Sequence, residues 1–348
     1  MKKHLQNVPE SWKIVKARGD MRDAQEEWIL DQTKREILFL DPVCTHNIWG
    51  GSRLREEFGY PEAGSDIGEC WGISAHPNGD GTVKYGALAG KKLSEVWREH
   101  RELFGDFPSE RMPIMAKLID AREDLSIQVH PDDVYAAEHE NGAFGKRESW
   151  YVIDAPDGAT LVAGHNATTR EELSAMIHEG RWAELIREIP VKKGDFIQID
   201  PGTVHAIKAG ILLMEMQQSS DITYRVYDYD RCAGGKRREL HVEKSIDVIT
   251  VPAKPVEDSV FSALGLPANR LNELYRCEDY TVFRIEADGE MCFEQVYPFL
   301  FFSVTEGEGT VNGLPVKKGD HMILPCGYGS VCVRGGLEVI AATVERPS

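Results

Sequence analysis

Gln128, His130, Glu148 and His205 are the residues of this sequence whose types and placement could do chemistry together. Leu125-Ser126-Ile127-Gln128-Val129-His130-Pro131 reads as a short strand running into a turn. Alternate side chains of a strand share a face, so Ser126, Gln128 and His130 lie together, with Leu125, Ile127 and Val129 on the apolar side. Pro131 ends the ladder, having no N–H to give. Gly145-Lys146-Arg147-Glu148-Ser149-Trp150-Tyr151-Val152-Ile153 is a second strand, with Glu148 near its start. Pro201-Gly202-Thr203-Val204-His205-Ala206-Ile207 is a turn followed by a third. Two imidazoles and a carboxylate suit zinc or another first-row divalent ion, and a catalytic site keeps one position open for water or substrate. Gln128 offers an amide oxygen, the weakest ligand of the four. The same first strand also fits a half-buried edge whose polar face meets water.

Several ordered segments extend this pattern. They are Ile48-Trp49-Gly50-Gly51, then Gly68-Glu69-Cys70-Trp71-Gly72-Ile73-Ser74-Ala75-His76-Pro77-Asn78-Gly79, the three strands above, and Gln218-Ser219-Ser220-Asp221-Ile222-Thr223-Tyr224-Arg225-Val226-Tyr227-Asp228-Tyr229-Asp230-Arg231. Taken in order, they resemble the shorter bacterial form of class I mannose-6-phosphate isomerases, zinc enzymes of the cupin superfamily. The resemblance runs from Ile37 to the C-terminus and is strongest between Ile48 and Thr250.

The resemblance implies interconversion of mannose 6-phosphate and fructose 6-phosphate through an enediolate. It implies metal ligation by Gln128, His130, Glu148 and His205, with one zinc per chain or another first-row divalent metal in its place. Arg225 matches the family's catalytic arginine, and Glu215 matches an acidic site residue able to carry a proton. Lys146, two residues before Glu148, shares its strand face and would reach the substrate. Ser126 and Lys117 match positions linked with phosphate binding, and Glu69, Trp49 and Asp221 match pocket positions. His76, His165 and His241 are expected to support the site or the fold. Two other readings stay open: a non-catalytic cupin that holds a sugar phosphate at a retained metal, and a different cupin enzyme such as an iron oxygenase.

The elements that must position these residues are mostly strands. Many short strands separated by Gly and Pro turns argue for jelly rolls. Two stretches interrupt them with helical spacing, Lys92 to Phe104 and Thr169 to Arg187, the second broken at Gly180. Val191-Lys192-Lys193-Gly194-Asp195 and Val316-Lys317-Lys318-Gly319-Asp320 each precede an apolar strand and a proline turn. That echo predicts two cupin-type β-barrels, and the second has Gly329 or Ser330 where a ligand would stand. The expected organisation is a helical N-terminal extension over residues 1–36, a metal-binding cupin domain over 37–250 with helical insertions, and a metal-free cupin-like domain over 251–348. Val251 to Glu257, with two prolines, reads as the linker.

At 348 residues the chain is long enough for two cores. Its net charge of −17 argues against nucleic acid or an anionic membrane as partner, so a sugar phosphate must be met by a local basic cluster. No run is apolar enough to span a bilayer, and Met1 to Glu10 lacks the apolar segment of a secretory signal. Seven cysteines, an odd number without a CxxC pair, are expected as reduced thiols in a cytoplasmic protein. Cys70 reads as a small core residue. No Gly-rich dinucleotide fingerprint follows a strand, and the reaction requires no organic cofactor.

Overall fold

The computed structural model describes residues 36–60, 66–255 and 259–345. The helical arm expected over residues 1–36 therefore lies outside the described residues, Glu36 excepted. The fold is mainly β, and its sheets are antiparallel open paths. The sheet that carries Glu148 has seven strands, in the order Val260–Ser262, Asp195–Ile199, Glu148–Asp154, Leu212–Gln218, Ile114–Asp120, Ile67–Ile73, Val43–Gly51. A five-stranded sheet carries the other candidate ligands, in the order Tyr224–Tyr227, Ile127–Val129, His205–Ala206, Thr160–His165, Ile186–Pro190. Strand alternation turns one apolar face of each sheet toward the other. Ile119, Trp150, Val152, Ile197 and Leu213 from the first pack with Leu161, Ala163 and Ile189 from the second.

Helices Arg170–His178, Trp182–Leu185 and Val242–Val248 cover the outer face of the five-stranded sheet. They bury Leu173, Met176, Leu185 and Ile246 against Ile127, Val129 and Val162. The Thr169 hydroxyl caps the first by accepting from the Glu172 N–H, and Gly180 at φ +68° lets the chain turn before the second. The single helix expected from Lys92 to Phe104 is an α-helix over Leu93–Glu99 and a 3₁₀ turn over Arg101–Phe104.

The C-terminal sheet has eight strands. Its path is Asn272–Arg276, Thr281–Gln295, Gly329–Thr343, Leu300–Val311, His321–Leu324, Leu38–Asp41, Thr82–Val83, with Leu314–Lys317 beside Leu300–Val311. Both of its faces are buried over Thr281–Ile285, Leu300–Val304 and Val339–Thr343. Phe302, Val339 and Ala341 fill its own core, while Phe301, Ile340 and Ala342 pack toward the seven-stranded sheet. The KKGD echo is one turn used twice: Asp195 and Asp320 accept from the backbone N–H of Lys192 and Lys317, at 3.0 and 2.8 Å. Gly194 and Gly319 take φ of +84° and +91°, which favours glycine.

The sheets exchange strands across the expected boundary at residue 250. Leu38–Asp41 pairs with His321–Leu324, and Val260–Ser262 pairs with Asp195–Ile199. The cysteine expectation needs correction. Cys292 and Cys332 form a disulfide, because the register of their two long strands sets them directly opposite, with Cα atoms 4.1 Å apart. The other five cysteines carry thiols, and Cys70 is fully buried in the core.

Candidate metal centre and substrate cavity

His130 follows strand Ile127–Val129, Glu148 opens strand Glu148–Asp154, and His205 opens strand His205–Ala206. All three are buried, and one ligand atom from each falls within 4.8 Å of the others. Each imidazole is oriented by a backbone carbonyl. His130 Nδ1 lies 2.8 Å from Ile222 O, and His205 Nδ1 lies 2.8 Å from Thr203 O. A carbonyl only accepts, so both Nδ1 atoms carry the proton and both Nε2 atoms present a lone pair. His205 Nε2 then faces Glu148 Oε1 at 3.2 Å, acceptor against acceptor, and that oxygen has no hydrogen-bond partner. An orphaned buried carboxylate oxygen opposite an imidazole lone pair fits a cation. Burial pushes the His130 pKa down to about 3, aided by the charge of Lys146, and burial lowers that of His205 as well.

Gln128 is the cross-strand neighbour of His205, and its amide nitrogen lies 3.2 Å from His205 Nε2. The same amide turned over presents its oxygen. The Ser126 hydroxyl, buried two residues earlier, lies 3.4 Å from Gln128 Oε1. The only other grouping of such ligands among the described residues, Glu290 with Cys292 and Cys332, has its two sulfurs bonded to each other.

Beside this trio, in contact with it through Gln128 and Lys146, lies a cavity of about 200 Å³, lined also by Trp49, Glu69, Lys117, Ser126, Glu215, Asp221 and Arg225. A larger cleft of about 610 Å³ beside Lys84, Lys92 and Lys317 contains none of these residues, so size does not select the site here. Lys146 Nζ donates to Glu148 and lies 3.2 Å from His130 Nε2 and 3.8 Å from Glu215 Oε1. Burial works against its charge, but Glu148 and Glu215 outweigh burial and its pKa ends raised. For Glu148 the balance goes the same way: burial opposes ionisation, and the Lys146 charge holds it well below the usual carboxylate range. Glu215 differs. Burial and the nearby Glu148 charge push it up to about 7, against Lys146 and Lys117. Its Oε2 accepts from Trp150 Nε1 at 3.1 Å, which leaves Oε1 toward the lysines.

Arg225 is not paired with either nearby aspartate. Arg231 and Arg238 occupy Asp228, and Arg237 occupies Asp230. Its guanidinium reaches Glu239 O at 3.3 Å through Nη1, and Nε is buried without a partner. His241 Nδ1 accepts from the Arg225 backbone N–H at 3.2 Å and so helps fix its strand. His76 lies 3.6 Å from Asp221 and packs on Trp71, whereas His165 binds Thr250 O at 2.9 Å, away from the cavity.

Sequence reasoning missed seven lining residues: the apolar Ile119, Leu125 and Ile207, and Asn47, Trp71, Thr223 and Arg238. Trp71 had a signal, since alternation in Ile67–Ile73 sets it on the face of Glu69. Its indole N–H donates to Glu69 at 2.8 Å, and its ring lies 4.2 Å from Lys117 Nζ. Arg238 had none. It stands in the basic run Lys236-Arg237-Arg238, and only the tertiary fold carries it to the cavity.

A pair of antiparallel sheets that brings two imidazoles and a carboxylate together beside a polar cavity is the frame of a metal-dependent enzyme. Residues 37–151 match the family described as phosphomannose isomerase type I, catalytic domain, and residues 271–344 match the mannose-6-phosphate isomerase cupin domain. The chain is 47% identical over 312 residues to mannose-6-phosphate isomerase ManA of Bacillus subtilis, covering 88% of this chain and 98% of that one. It is 46% identical over 312 residues to mannose-6-phosphate isomerase of Streptococcus mutans, with the same coverage, 88% and 98%. The crystal structure of the mannose 6-phosphate isomerase from Bacillus subtilis superposes with a TM-score of 0.83 at 41% identity, over 88% of this chain and 99% of that one. The chain belongs to the type I phosphomannose isomerase family, whose members are metal-dependent aldose–ketose isomerases.

Proposed function

We propose that this chain interconverts mannose 6-phosphate and fructose 6-phosphate in the cavity beside His130, Glu148 and His205, with zinc held by those three side chains and the amide oxygen of Gln128. The carrying observation is an orphaned buried carboxylate oxygen and two oriented imidazoles that touch, through Gln128 and Lys146, a cavity also walled by Arg225 and Glu215. Bound there, a divalent metal supplies Lewis acidity toward the sugar oxygens.

The chain's own groups divide the remaining work. A proton must move between C1 and C2 of the open sugar. Glu215 carries it on Oε1: burial raises its carboxyl above the usual carboxylate range, toward the neutral pH at which a group can both take up and release a proton. Lys146 and Lys117 keep the ionised form from being prohibitive inside the cavity. Arg225 presents planar donors to the enediolate oxygens, where negative charge develops. Ser126, Lys117 and Arg238 meet the phosphate, a local basic wall in a strongly acidic chain. Glu69, Trp49 and Asp221 shape the cavity around the sugar. A pocket that only held a sugar phosphate would have no use for a proton carrier such as Glu215, which disfavours the non-catalytic reading.

The test is a coupled assay for fructose 6-phosphate formation from mannose 6-phosphate. Chelation should abolish turnover and zinc should restore it, with one metal bound per chain. Turnover that survives complete metal removal would sink the reading.

A further inference from the structure

Arg147 lies between Lys146 and Glu148 in the sequence, yet its side chain leaves the cavity and reaches the C-terminal sheet. Strands Asn272–Arg276 and Thr281–Gln295 are joined by a tight turn closed by the Cys277 N–H on Tyr280 O at 2.9 Å. Arg147 Nη1 donates to both carboxylates of that turn, to Asp279 at 2.6 Å and to Glu278 at 3.1 Å. The arginine and Asp279 are 19% and 18% exposed, so solvent screens the pair only in part. Arg147 Nε also lies 3.4 Å from Asp200.

The same turn holds the loop a second way. Gln218 ends the strand next to Glu148. Its Nε2 donates to Asp279 at 3.2 Å and to Asp133 at 3.1 Å, while its Oε1 accepts the Arg147 N–H at 2.8 Å. Asp133 in turn accepts the Gly145 N–H at 2.7 Å, and the Lys146 N–H bonds Pro131 O at 3.0 Å, beside His130. Next along the turn, Tyr280 is buried with its hydroxyl 3.4 Å from the Gln198 side chain on the strand paired with Glu148–Asp154. Every residue from Gly145 to Arg147 is thus fixed, and two of these ties end on Asp279.

We propose that the Glu278–Asp279 turn of the C-terminal sheet positions Lys146 and Glu148 through Arg147, so that the sheet without ligands sets the geometry of the metal centre. Arg147 and Asp279 are positioning residues. They touch neither substrate nor metal and act by holding the backbone whose next residues do. The proposal rests on the functional reading above. Groups that orient a metal ligand from behind are worth about ten- to a hundredfold in metal affinity or activity.

The test uses the full-length, metal-loaded protein with Arg147→Ala, Asp279→Ala and the double variant. The readouts are kcat, KM, metal affinity by chelator competition, and thermal unfolding. Each single variant should lose about tenfold in kcat and in metal affinity with KM unchanged, and the double should be no worse than Asp279→Ala, which already breaks both ties. Arg147→Lys, which keeps the charge, should recover part of the loss. A purely structural salt bridge would lower the unfolding temperature and leave kcat and metal affinity alone. Wild-type values of both in Asp279→Ala, or multiplicative losses in the double variant, would overturn the proposal. If Arg147→Ala does not fold, Asp279→Ala decides alone. An inactive wild type would count against the functional reading, and metal affinity would still test the clamp.

Discussion

The turns at Lys192–Asp195 and Lys317–Asp320 are built alike, yet they launch strands into opposite interiors. Beyond the first, the strands surround buried His130, Lys146, Glu148, His205 and Glu215. Beyond the second, Met322 and Leu324 join Phe302, Val331 and Val339 in an apolar core. The second region does bury a histidine, His321, but Tyr60 and Ser303 engage its two ring nitrogens at 2.8 and 2.9 Å. Among the described residues of 259–345, no buried side-chain polar atom lacks a partner, whereas Glu148 Oε1 and Arg225 Nε in the first region do. The difference teaches how to separate a structural histidine from one aimed at a ligand. Burial alone does not distinguish them; an unspent lone pair opposite another acceptor does.

The sharpest way to break the comparison is Glu148→Ala. It should strip the metal and take turnover below detection, while Gln128→Ala, which removes a weaker ligand, should cost less; metal content and the coupled assay on the same samples decide. Next in size is Arg225→Ala, which should keep fold and metal but lose about a hundred- to a thousandfold in kcat, with poor rescue by Lys. A rise in KM alone would mean that Arg225 binds ground state and transition state equally. Glu215→Gln should also keep its metal and fall by at least about a hundredfold in kcat if Oε1 carries the proton.

A smaller effect tests the other interior. Burial depresses the His321 pKa to about 3, so the folded state keeps it neutral while the unfolded chain protonates near its ordinary value of 6.5. Stability should therefore fall as pH drops from about 6.5 toward 3, with a slope of at most about 1.4 kcal/mol per pH unit from this one group. The difference in unfolding free energy between wild type and His321→Gln, followed from pH 7 to 5, isolates it, and a pH-independent difference would show that His321 is not held neutral. The smallest effect should come from deleting residues 1–35, which contain no proposed site residue; kcat should stay at the wild-type value.

The sequence made the site legible where side-chain type and strand alternation suffice. Ser126, Gln128 and His130 could be read because period two sets them on one face, and the KKGD turn could be read twice because its chemistry is local. Pairing partners could not be read. Leu38 to Leu40 is an apolar run whichever sheet it joins, and nothing within it names His321–Leu324 as its neighbour. The Cys292–Cys332 bond depends on the register of two strands far apart in the chain. Arg147 looked like one more residue of a ligand motif, because its carboxylate partners stand on a turn that only the tertiary fold brings near.

The strand exchange also bears on how the chain is made. Leu38, Phe39 and Leu40 leave the ribosome about 280 residues ahead of the strand they pair with. At roughly 5–20 residues per second, that edge waits for tens of seconds without its neighbour. Until His321–Leu324 arrives, an apolar strand with unpaired N–H and C=O groups is open to whatever else in the cell can add a strand. Strands cross between the two halves in both directions, so the nascent chain must be kept from aggregating until His321–Leu324 has been made.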